Sequence, residues 1–513
     1  MGRFWELLCS PGARKEVVTR APTQHVHRKG SDASSPSASV ENIKGLDLKP
    51  KLRLLDRWLD IVVLASGSGP VFTVIVLGLV AWAFLGIPYY DSIDWQVVIS
   101  DVQAILSYIF DSLLMRQQLN TYDEGILVAA QLQSRSHANS RMLEKVERML
   151  ATGELVRSEK SKTAADEFDR DLPKESLFGR IVTQISVCYG HILTVVLYWM
   201  TIIVWLAFGP SNDWSDEWQL WMNSATSALM VFTFAFLANI RERHSIHSKK
   251  CIDAAFRVDS ALERRLRLLT DDDLENDWVA VPREKVNPVQ RAIYYYADVV
   301  GTLVGIALLI IVIIAWIAIG PLLQFNDNWW LIIGTYAGLV GLNDGFVLLN
   351  VQANLRKHES VQYEQVDVLD RESFRTVKLP PPADKSLEKN SWSFSLSLKM
   401  STAVGKVCAH PIAVIMDVLL IVGLLTGSSV MGWNTTGQLL SNVPPSIIES
   451  FLMIILLPGH NSAESERRVQ LDNFYERRLE LINFVDSLEV VDDPQIVVER
   501  VDVDVGEKLA ESM

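Results

Sequence analysis

The sequence predicts an all-α polytopic membrane protein with eight transmembrane helices, arranged as four hairpins that repeat one parallel unit. The first observation is the distribution of charge. The 48 Lys and Arg residues of this 513-residue chain avoid four windows, which cover residues 58–115, 181–240, 292–355 and 407–466. The second observation is that each window holds two apolar stretches, most of them roughly as long as the 20 or so residues that cross a bilayer core of about 30 Å.

The eight stretches form four pairs, with a short polar loop between the two members of each pair. They run from Ile61 to Pro88 and Trp95 to Met115, Ile185 to Phe208 and Trp218 to Ala238, Val299 to Ile319 and Trp329 to Leu349, and Val407 to Met431 and Val443 to Leu457. The last stretch is the weakest, because it opens with Pro444 and Pro445 and ends at Pro458, and Pro interrupts helices.

Three of the first stretches end in the same way, with Trp, three apolar residues and Gly, followed within two residues by Pro. The matching segments are Trp82 to Gly86, Trp205 to Gly209 and Trp316 to Gly320. Gly followed by Pro is a typical helix end. The second stretches of the same repeats begin with Trp95, Trp218 and Trp329, and Trp suits the membrane interface. The fourth copy has diverged and keeps Gly427 and Trp433.

Charge also predicts the orientation of the hairpins. The clear hairpin loops carry acids and no bases, whereas the connections between hairpins hold the Lys and Arg residues, which favour the cytoplasm. Both termini are therefore predicted to be cytoplasmic, and the acidic loops to form an outer funnel that concentrates cations. The funnel residues are Asp91, Asp94, Asp213, Asp216, Glu217 and Asp327. Asn434, in the fourth outer loop, begins an N-glycosylation acceptor sequence.

These features divide the chain into membrane and cytoplasmic parts. Residues 1–50 are predicted to be a mostly disordered tail, and residues 461–513 a C-terminal helix and tail. The hairpins are placed at residues 51–115, 177–240, 291–352 and 401–460, and the cytoplasmic connections at residues 116–176, 241–290 and 353–400. Apolar residues at helical spacing, such as Phe256 and Leu262, predict connections that are helices packed on each other or on a second protomer. A homodimer is the resulting expectation for assembly.

Acidic residues inside the apolar stretches are the main functional signal, because a carboxylate at the centre of a membrane helix costs on the order of 3 kcal/mol. Asp111, Asp344 and Glu449 lie at similar depth in three of the four second helices, and Phe234 takes this place in the other. Asn343 accompanies Asp344. Metal binding is predicted here, and a structural hydrogen-bonding role is the alternative.

Further polar residues extend the predicted metal path. The path is predicted to enter at Asp101 and Gln103, to include His191 and His410 beside the three acids, and to leave past Gln118, Asn350 and Gln352. Carboxylate, imidazole and amide ligands together suit divalent ions such as Fe(II), Mn(II) and Zn(II). The alternative for the histidines is bridging between helices, and Cys188 and Cys408 near them are expected to be small buried hydrophobic residues. Asp417 follows His410 by two helical turns.

Two other histidine patterns are weaker. His244, His247 and Cys251 share one helical face, but basic residues surround them and would repel a cation. His25 and His27 lie in the N-terminal tail. A metal role is not favoured at either place.

Composition excludes several functions. The net charge of −13 and the pI near 5.3 exclude a basic nucleic-acid binder. The sequence contains no Gly-rich Walker loop, so ATP is not expected to drive transport, and no paired nucleophile and base indicate an enzyme. No resident cofactor is expected. The expected partners are divalent metal ions, which are the cargo, together with membrane lipids and a second protomer.

Several segments are similar to the low-affinity iron permease family of fungi. They are Met1-Gly-Arg3, Pro11 to Arg14, Arg20 to Thr23, Ser66 to Phe72, Ser100 to Ala104, Phe110-Asp111, Leu114 to Gln118 and Leu349 to Asn354. The resemblance implies a plasma-membrane transporter of Fe(II), with Zn, Cu and Mn as secondary substrates. The resemblance does not identify individual metal ligands. The predicted site therefore depends on the similar depth of the acidic residues in the membrane.

Transport at low affinity is therefore the predicted function, driven by the membrane potential or a proton gradient. Two alternatives remain at this point. One is a divalent-permeable cation channel, and the other is a membrane scaffold or receptor that signals through its cytoplasmic helices.

Overall fold

The computed structural model of the protein describes residues 16–24, 54–90, 92–158, 168–386, 399 and 402–491. The helices are α1 (Leu54–Ser66), α2 (Gly69–Tyr89), α3 (Ile93–Thr152), α4 (Leu177–Tyr189), α5 (Ile192–Ala207), α6 (Asp216–Thr270), α7 (Pro288–Val300), α8 (Leu303–Ile319), α9 (Asp327–Thr376), α10 (Pro411–Val430), α11 (Thr435–Leu440) and α12 (Val443–Asp486). The strands are β1 (Val17–Thr19), β2 (Leu155–Arg157), β3 (Val279–Val281) and β4 (Leu488–Val490).

The predicted fold class, an all-α polytopic membrane protein, is confirmed. Among the described residues, six helices are long and apolar enough to cross a membrane, and two bent pairs, α4 with α5 and α7 with α8, raise the number to eight. These eight spans pair as the four hairpins that the sequence predicts.

The second helices of the hairpins form an inner bundle, which we define as α3, α6, α9 and α12. The most apolar part of α12 is 78% buried, whereas that of α2 is 6% buried. The first spans therefore lie around the inner bundle and expose apolar side chains such as Leu77, Ile311 and Val422, as lipid-facing helices do.

Each first span is broken near the end that the sequence predicts to be cytoplasmic. The breaks fall between α1 and α2, α4 and α5, α7 and α8, and between a helical segment at residues 402–408 and α10. The pair α4 and α5 bends by 48°, and the pair α7 and α8 by 67°. At the breaks, Ser68, His191, Thr302 and His410 occupy the N-cap positions of the helices that follow.

Three repeats share a tryptophan pair at the outer end of the hairpin. The rings of Trp82 and Trp95 stack 4.5 Å apart, and each indole N–H donates to the other residue's carbonyl oxygen. The pairs Trp205 with Trp218 and Trp316 with Trp329 stack in the same way. The interfacial tryptophans of the sequence repeat therefore fasten the two helices of each hairpin.

Ring packing adds a second reason for the repeated glycine. Helices α5 and α8 end within two residues before Gly209 and Gly320, as predicted, whereas α2 continues past Gly86 and ends at Tyr89, one residue after the predicted Pro88. A Cβ atom at Gly86 would lie 2.5 Å from the ring of Trp95. Cβ atoms at Gly209 and Gly320 would likewise overlap the rings of Trp214 and Phe325. Glycine is required because an aromatic ring lies on its Cα.

The fourth repeat replaces the tryptophan pair with serines. The hydroxyl oxygens of Ser428 and Ser441 lie 2.5 Å apart, and the two residues have the same 13-residue separation as each tryptophan pair. Trp433 is exposed and has a positive φ of 55°. It therefore does not occupy the place of the paired tryptophans, because a small polar pair already fastens this hairpin.

The inner helices continue beyond the apolar spans and form a second four-helix bundle with its own apolar core, which we call the cytoplasmic bundle after the side that the charge pattern predicts. Leu132, Phe256, Phe374 and Leu481, one from each inner helix, are all buried in this core. The helical stripes in the connections therefore pack on one another within the chain.

A network of buried ion pairs crosses the cytoplasmic bundle. Arg478 contacts Asp259 and Asp370, each at 2.7 Å, and Arg135 contacts Asp259 at 3.1 Å and Glu263 at 2.9 Å. These side chains are at most 1% exposed. The network joins all four inner helices, because α3 supplies Arg135, α6 both Asp259 and Glu263, α9 Asp370, and α12 Arg478.

Residues 16–24, which belong to the N-terminal tail predicted to be mostly disordered, are structured. Strand β1 pairs antiparallel with β3, and the buried Ala21 donates its backbone N–H to Ser134 Oγ at 3.0 Å. Residues 16–24 therefore dock on the cytoplasmic bundle, because their backbone polar groups find partners there. A second antiparallel pair, β2 with β4, joins the ends of α3 and α12.

Candidate metal permeation site

Three acidic side chains from three inner helices lie buried in the membrane part of the bundle. Asp111, Asp344 and Glu449 are each 0% exposed. Of their six carboxylate oxygens, five have no hydrogen-bond partner among the described residues. The remaining oxygen, Asp344 Oδ1, accepts a hydrogen bond from the Tyr296 hydroxyl at 2.7 Å. We call these three residues the acidic cluster.

The charges of the acidic cluster act on one another. Both Asp344 and Glu449 lie within electrostatic range of Asp111. They do not converge at ligand distance, however, since the described part of the chain contains no group of three or more His, Cys, Asp or Glu residues that could hold a metal ion. The arrangement is an electronegative region rather than a closed metal cage.

Local packing explains how the acids come together. Asp111 and Asp344 follow Trp95 and Trp329 by 16 and 15 residues, so the tryptophan pairs bring them to similar depth. Glu449 reaches the same region because Gly341 leaves room for it. A Cβ atom at Gly341 would lie 2.5 Å from the carboxyl carbon of Glu449.

Asp417 is a fourth buried acid that sequence reasoning did not assign to the site. It lies on α10, is 2% exposed, and both of its oxygens have no hydrogen-bond partner within the described ranges. Asp344 lies within its electrostatic range. An acid within an otherwise apolar first span was the available signal, but Asp417 has no counterpart at the same depth in the second helices, where the other three acids lie.

Asn343 does not join the carboxylates directly. Its side chain lies close to Tyr296, the tyrosine that donates to Asp344. Asn343 is only partly buried. The structure therefore gives it a supporting position beside the acidic cluster.

A column of polar side chains leads from the outer end of the inner bundle toward the acids. Gln103 donates to Ser107 Oγ at 2.6 Å and accepts from the Ser227 hydroxyl at 3.4 Å. Asn223 donates to Ser100 Oγ at 3.0 Å. Asp101 is 7% exposed, and neither of its oxygens has a hydrogen-bond partner in the described chain. Polar groups this deep in a membrane bundle are typical of a substrate or ion pathway.

His191 and His410, predicted to lie beside the three acids, cap helices in the structure. Each imidazole Nδ1 accepts a backbone N–H two residues later, from Leu193 at 3.1 Å and from Ile412 at 3.2 Å. His410 is exposed and His191 half-buried, whereas the acids are fully buried. The histidines cap helices that restart after the breaks. A break was visible in the sequence at Pro411, but the capping role was not recognised.

The neighbouring cysteines also differ from expectation. Cys188 is exposed and Cys408 half-buried, so neither is the small buried hydrophobic residue that the sequence predicted. Both lie at the helix breaks of the outer spans, where packing is less complete than in the inner bundle.

The predicted exit is only partly assembled. Gln118 and Gln352 line a cavity at the cytoplasmic end of the inner bundle. Asn350 instead donates to the Ala409 carbonyl at 2.6 Å and accepts from Gln290 at 2.5 Å. It therefore ties α9 to α7 and to the break in the fourth repeat, because the unpaired carbonyl at that break needs a donor.

The predicted outer funnel is described in part. Asp213 and Glu217 are exposed, and Asp216 accepts from the Thr436 hydroxyl at 2.9 Å. Asp91 lies outside the described residues, and Asp94 and Asp327 lie in the first turns of α3 and α9. The exposed Asn434 caps α11 by accepting from the Gly437 N–H at 2.8 Å.

The histidines of the cytoplasmic face are held by neighbouring side chains. His244 Nδ1 lies 3.0 Å from His460 Nε2, and His244 Nε2 lies 3.1 Å from Thr183 Oγ1. Burial, assisted by the charge of Arg468, lowers the pKa of His244 to about 4. These contacts indicate a neutral packing role for His244. His25 and His27 lie outside the described residues.

Buried carboxylates on the axis of a polar-lined membrane bundle define a class of protein, the multi-pass membrane transport proteins. Comparison with known proteins identifies the family. The family model described as low affinity iron permease matches residues 178–275 and 398–511. The chain belongs to the low affinity iron permease family, as the near full-length similarity to two curated relatives shows.

The first relative is the low-affinity iron/zinc ion transport protein fet4 of Schizosaccharomyces pombe. It is 35% identical over 502 residues, which cover 94% of this chain and 85% of the relative. The second is a low-affinity Fe(2+) transport protein of Saccharomyces cerevisiae, 31% identical over 547 residues, with 95% of this chain and 98% of the relative covered. No solved structure matches the chain.

Proposed function

We propose that this protein is a low-affinity permease that carries Fe(II) across the plasma membrane, with Zn(II), Cu and Mn(II) as further substrates. The observation that carries the proposal is the acidic cluster, with five carboxylate oxygens that lack partners in the described chain. A divalent cation passing between these oxygens offsets the cost of burying them. The metal is cargo and not a resident cofactor, and no catalytic step is assigned to any residue.

The path begins at the outer acidic loops, which raise the local concentration of cations. It continues past Asp101 and Gln103 to the acidic cluster, where carboxylates replace part of the metal's hydration shell. Because these carboxylates do not converge as a closed cage, binding is weak and release is fast. Low affinity follows from this separation.

An apolar layer closes the path on the cytoplasmic side of the acidic cluster. Met115, Leu237, Leu348 and Leu456, one from each inner helix, are each 0% exposed. They follow the level of the acids and precede the cytoplasmic cavity along their helices. Permeation therefore requires the inner helices to separate at this layer.

The membrane potential supplies enough free energy for uptake. One charge that crosses 100 mV gains about 2.3 kcal/mol, so a divalent ion gains about 4.6 kcal/mol on moving inward. This direction follows if both termini are cytoplasmic, which the basic connections and acidic outer loops support. ATP is not required, and a proton gradient is a second source of driving force.

Uptake of radioactive Fe(II) into liposomes that contain the purified full-length chain tests the proposal. We expect saturable uptake that rises when the interior is made negative and falls when Zn(II), Mn(II) or Cu competes. Flux that never saturates with metal would indicate a channel instead. Liposomes with correctly folded protein and no flux above protein-free controls would indicate a scaffold or receptor.

A further inference from the structure

A cavity of about 60 Å³ lies at the cytoplasmic end of the inner bundle. All four inner helices line it, since Gln118 belongs to α3, Arg241 to α6, Gln352 to α9 and Arg467 to α12. A cavity shared by four packed helices lies on the axis of the bundle. At helical rise, the seven residues from Asp111 to Gln118 place it about 10 Å beyond the acidic cluster.

The guanidinium of Arg241 is the unusual group in this cavity. It is 4% exposed, and its Nη2 donates to Gln352 Oε1 at 2.6 Å. Its Nε and Nη1 have no hydrogen-bond partner in the part of the chain that the structure describes. A buried charge without a counter-charge is costly, so a guanidinium in this position needs an anion.

The other basic side chains of the cavity already have acidic partners. Arg467 pairs with Glu359, which also lines the cavity, and lies 3.8 Å from Glu464. Arg356 pairs with Glu466 at 2.5 Å. The carboxylates near the cavity therefore neutralise these two arginines, and the guanidinium on α6 remains as the uncompensated charge.

We propose that this cavity is a binding site for a small oxyanion of the inorganic phosphate class, held by the free Nε and Nη1 of Arg241. A guanidinium fork matches two oxygens of such an anion in a bidentate geometry. The hydroxyl groups of Thr121 and Ser245 also line the cavity and supply further donors. The position on the bundle axis favours a free cytoplasmic anion over a lipid headgroup, because the outer helices separate this axis from lipid.

The bound anion has a consequence for transport, which rests on the proposed function. A cation that leaves along the axis meets the positive charge of Arg241. An oxyanion on this guanidinium removes that barrier and links metal release to the cytoplasmic supply of the anion.

Equilibrium binding of radioactive inorganic phosphate to the purified full-length chain, at constant ionic strength and without metal, tests the site. We expect saturable binding with one phosphate per chain. Arg241→Gln should weaken it at least tenfold, and Arg241→Lys should weaken it less. The exposed Arg371→Gln is the matched control and should leave the dissociation constant unchanged.

A second variant keeps the test decisive if Arg241→Gln fails to fold. Gln352→Glu places a carboxylate beside the Arg241 guanidinium and should abolish phosphate binding while the chain stays folded. Equal phosphate binding by wild type and Gln352→Glu would overturn the site. If phosphate binds to the protein in detergent but not in bilayers of anionic lipid, a lipid headgroup occupies the site. That result would overturn the proposal that the ligand is a free anion. Because metal is absent, failure of this site and failure of the transport proposal are distinguishable.

Discussion

Asp344→Asn is expected to reduce the rate of Fe(II) uptake at least tenfold. Asp344 lies within electrostatic range of Asp111 and also of Asp417, so it joins the acidic cluster to the fourth acid. The substitution removes a negative charge that a passing cation needs in place of water. Asparagine keeps an oxygen that can still accept from the Tyr296 hydroxyl, so the surrounding contacts are preserved.

Thermal unfolding of the Asp344→Asn protein distinguishes a loss of transport from a loss of folding. Removal of a buried carboxylate lowers the cost of burial, so the thermal unfolding temperature should stay the same or rise. The matched control is Asp253→Asn, which removes an acid with a 39% exposed side chain that pairs with Arg257 at 2.9 Å. The control should take up Fe(II) at the wild-type rate. Wild-type uptake by Asp344→Asn would show that this residue is not on the metal path.

Arg478→Met is expected to destabilise the cytoplasmic bundle by about 3–5 kcal/mol, because it removes the closest cationic partner of the buried Asp370 carboxylate and one of the two arginine partners of Asp259. Arg478 is 0% exposed and contacts Asp259 and Asp370 from two other helices. Its guanidinium also lies 4.5 Å from the centre of the Phe474 ring. Hydrogen exchange of the helix amides reports the free energy of local opening in this part of the chain.

Two further variants show whether the loss comes from the ion network. Arg371→Met removes a 46% exposed arginine that pairs with Asp367 and Asp384, and it should cost no more than about 1 kcal/mol. Adding Asp370→Asn to Arg478→Met should recover part of the stability, because one orphaned charge disappears. A double variant less stable than Arg478→Met alone would contradict this assignment.

The membrane architecture was predictable because the bilayer imposes a strong constraint. Long apolar stretches without Lys or Arg must be membrane spans, and eight of them pair as predicted. The repeat of Trp82 and Trp95 also pointed to equivalent hairpins. What the pattern did not show is that the second helices alone form the core, because both members of each pair are apolar.

The acidic cluster was predictable in part, since membrane acids are rare and costly. Asp111, Asp344 and Glu449 could be aligned by depth, which helical rise determines. The capping roles of His191 and His410 were not predicted, because His is not among the residue types preferred at N-caps. Arg241 was hidden for a different reason. From sequence alone, a charged residue at the end of a membrane span is expected to be solvated. Only the packing of the four helices shows that the Arg241 guanidinium is buried.

The position of bound metal is the most direct test of the central claim, that the acidic cluster is where the cation crosses the inner bundle. Anomalous scattering at the zinc edge, from crystals of the full-length chain soaked in Zn(II), measures this position. The structure predicts a peak between Asp111, Asp344 and Glu449 that disappears in the Asp344→Asn protein. Peaks confined to surface groups such as the exposed His410, with none between the three acids, would contradict the claim.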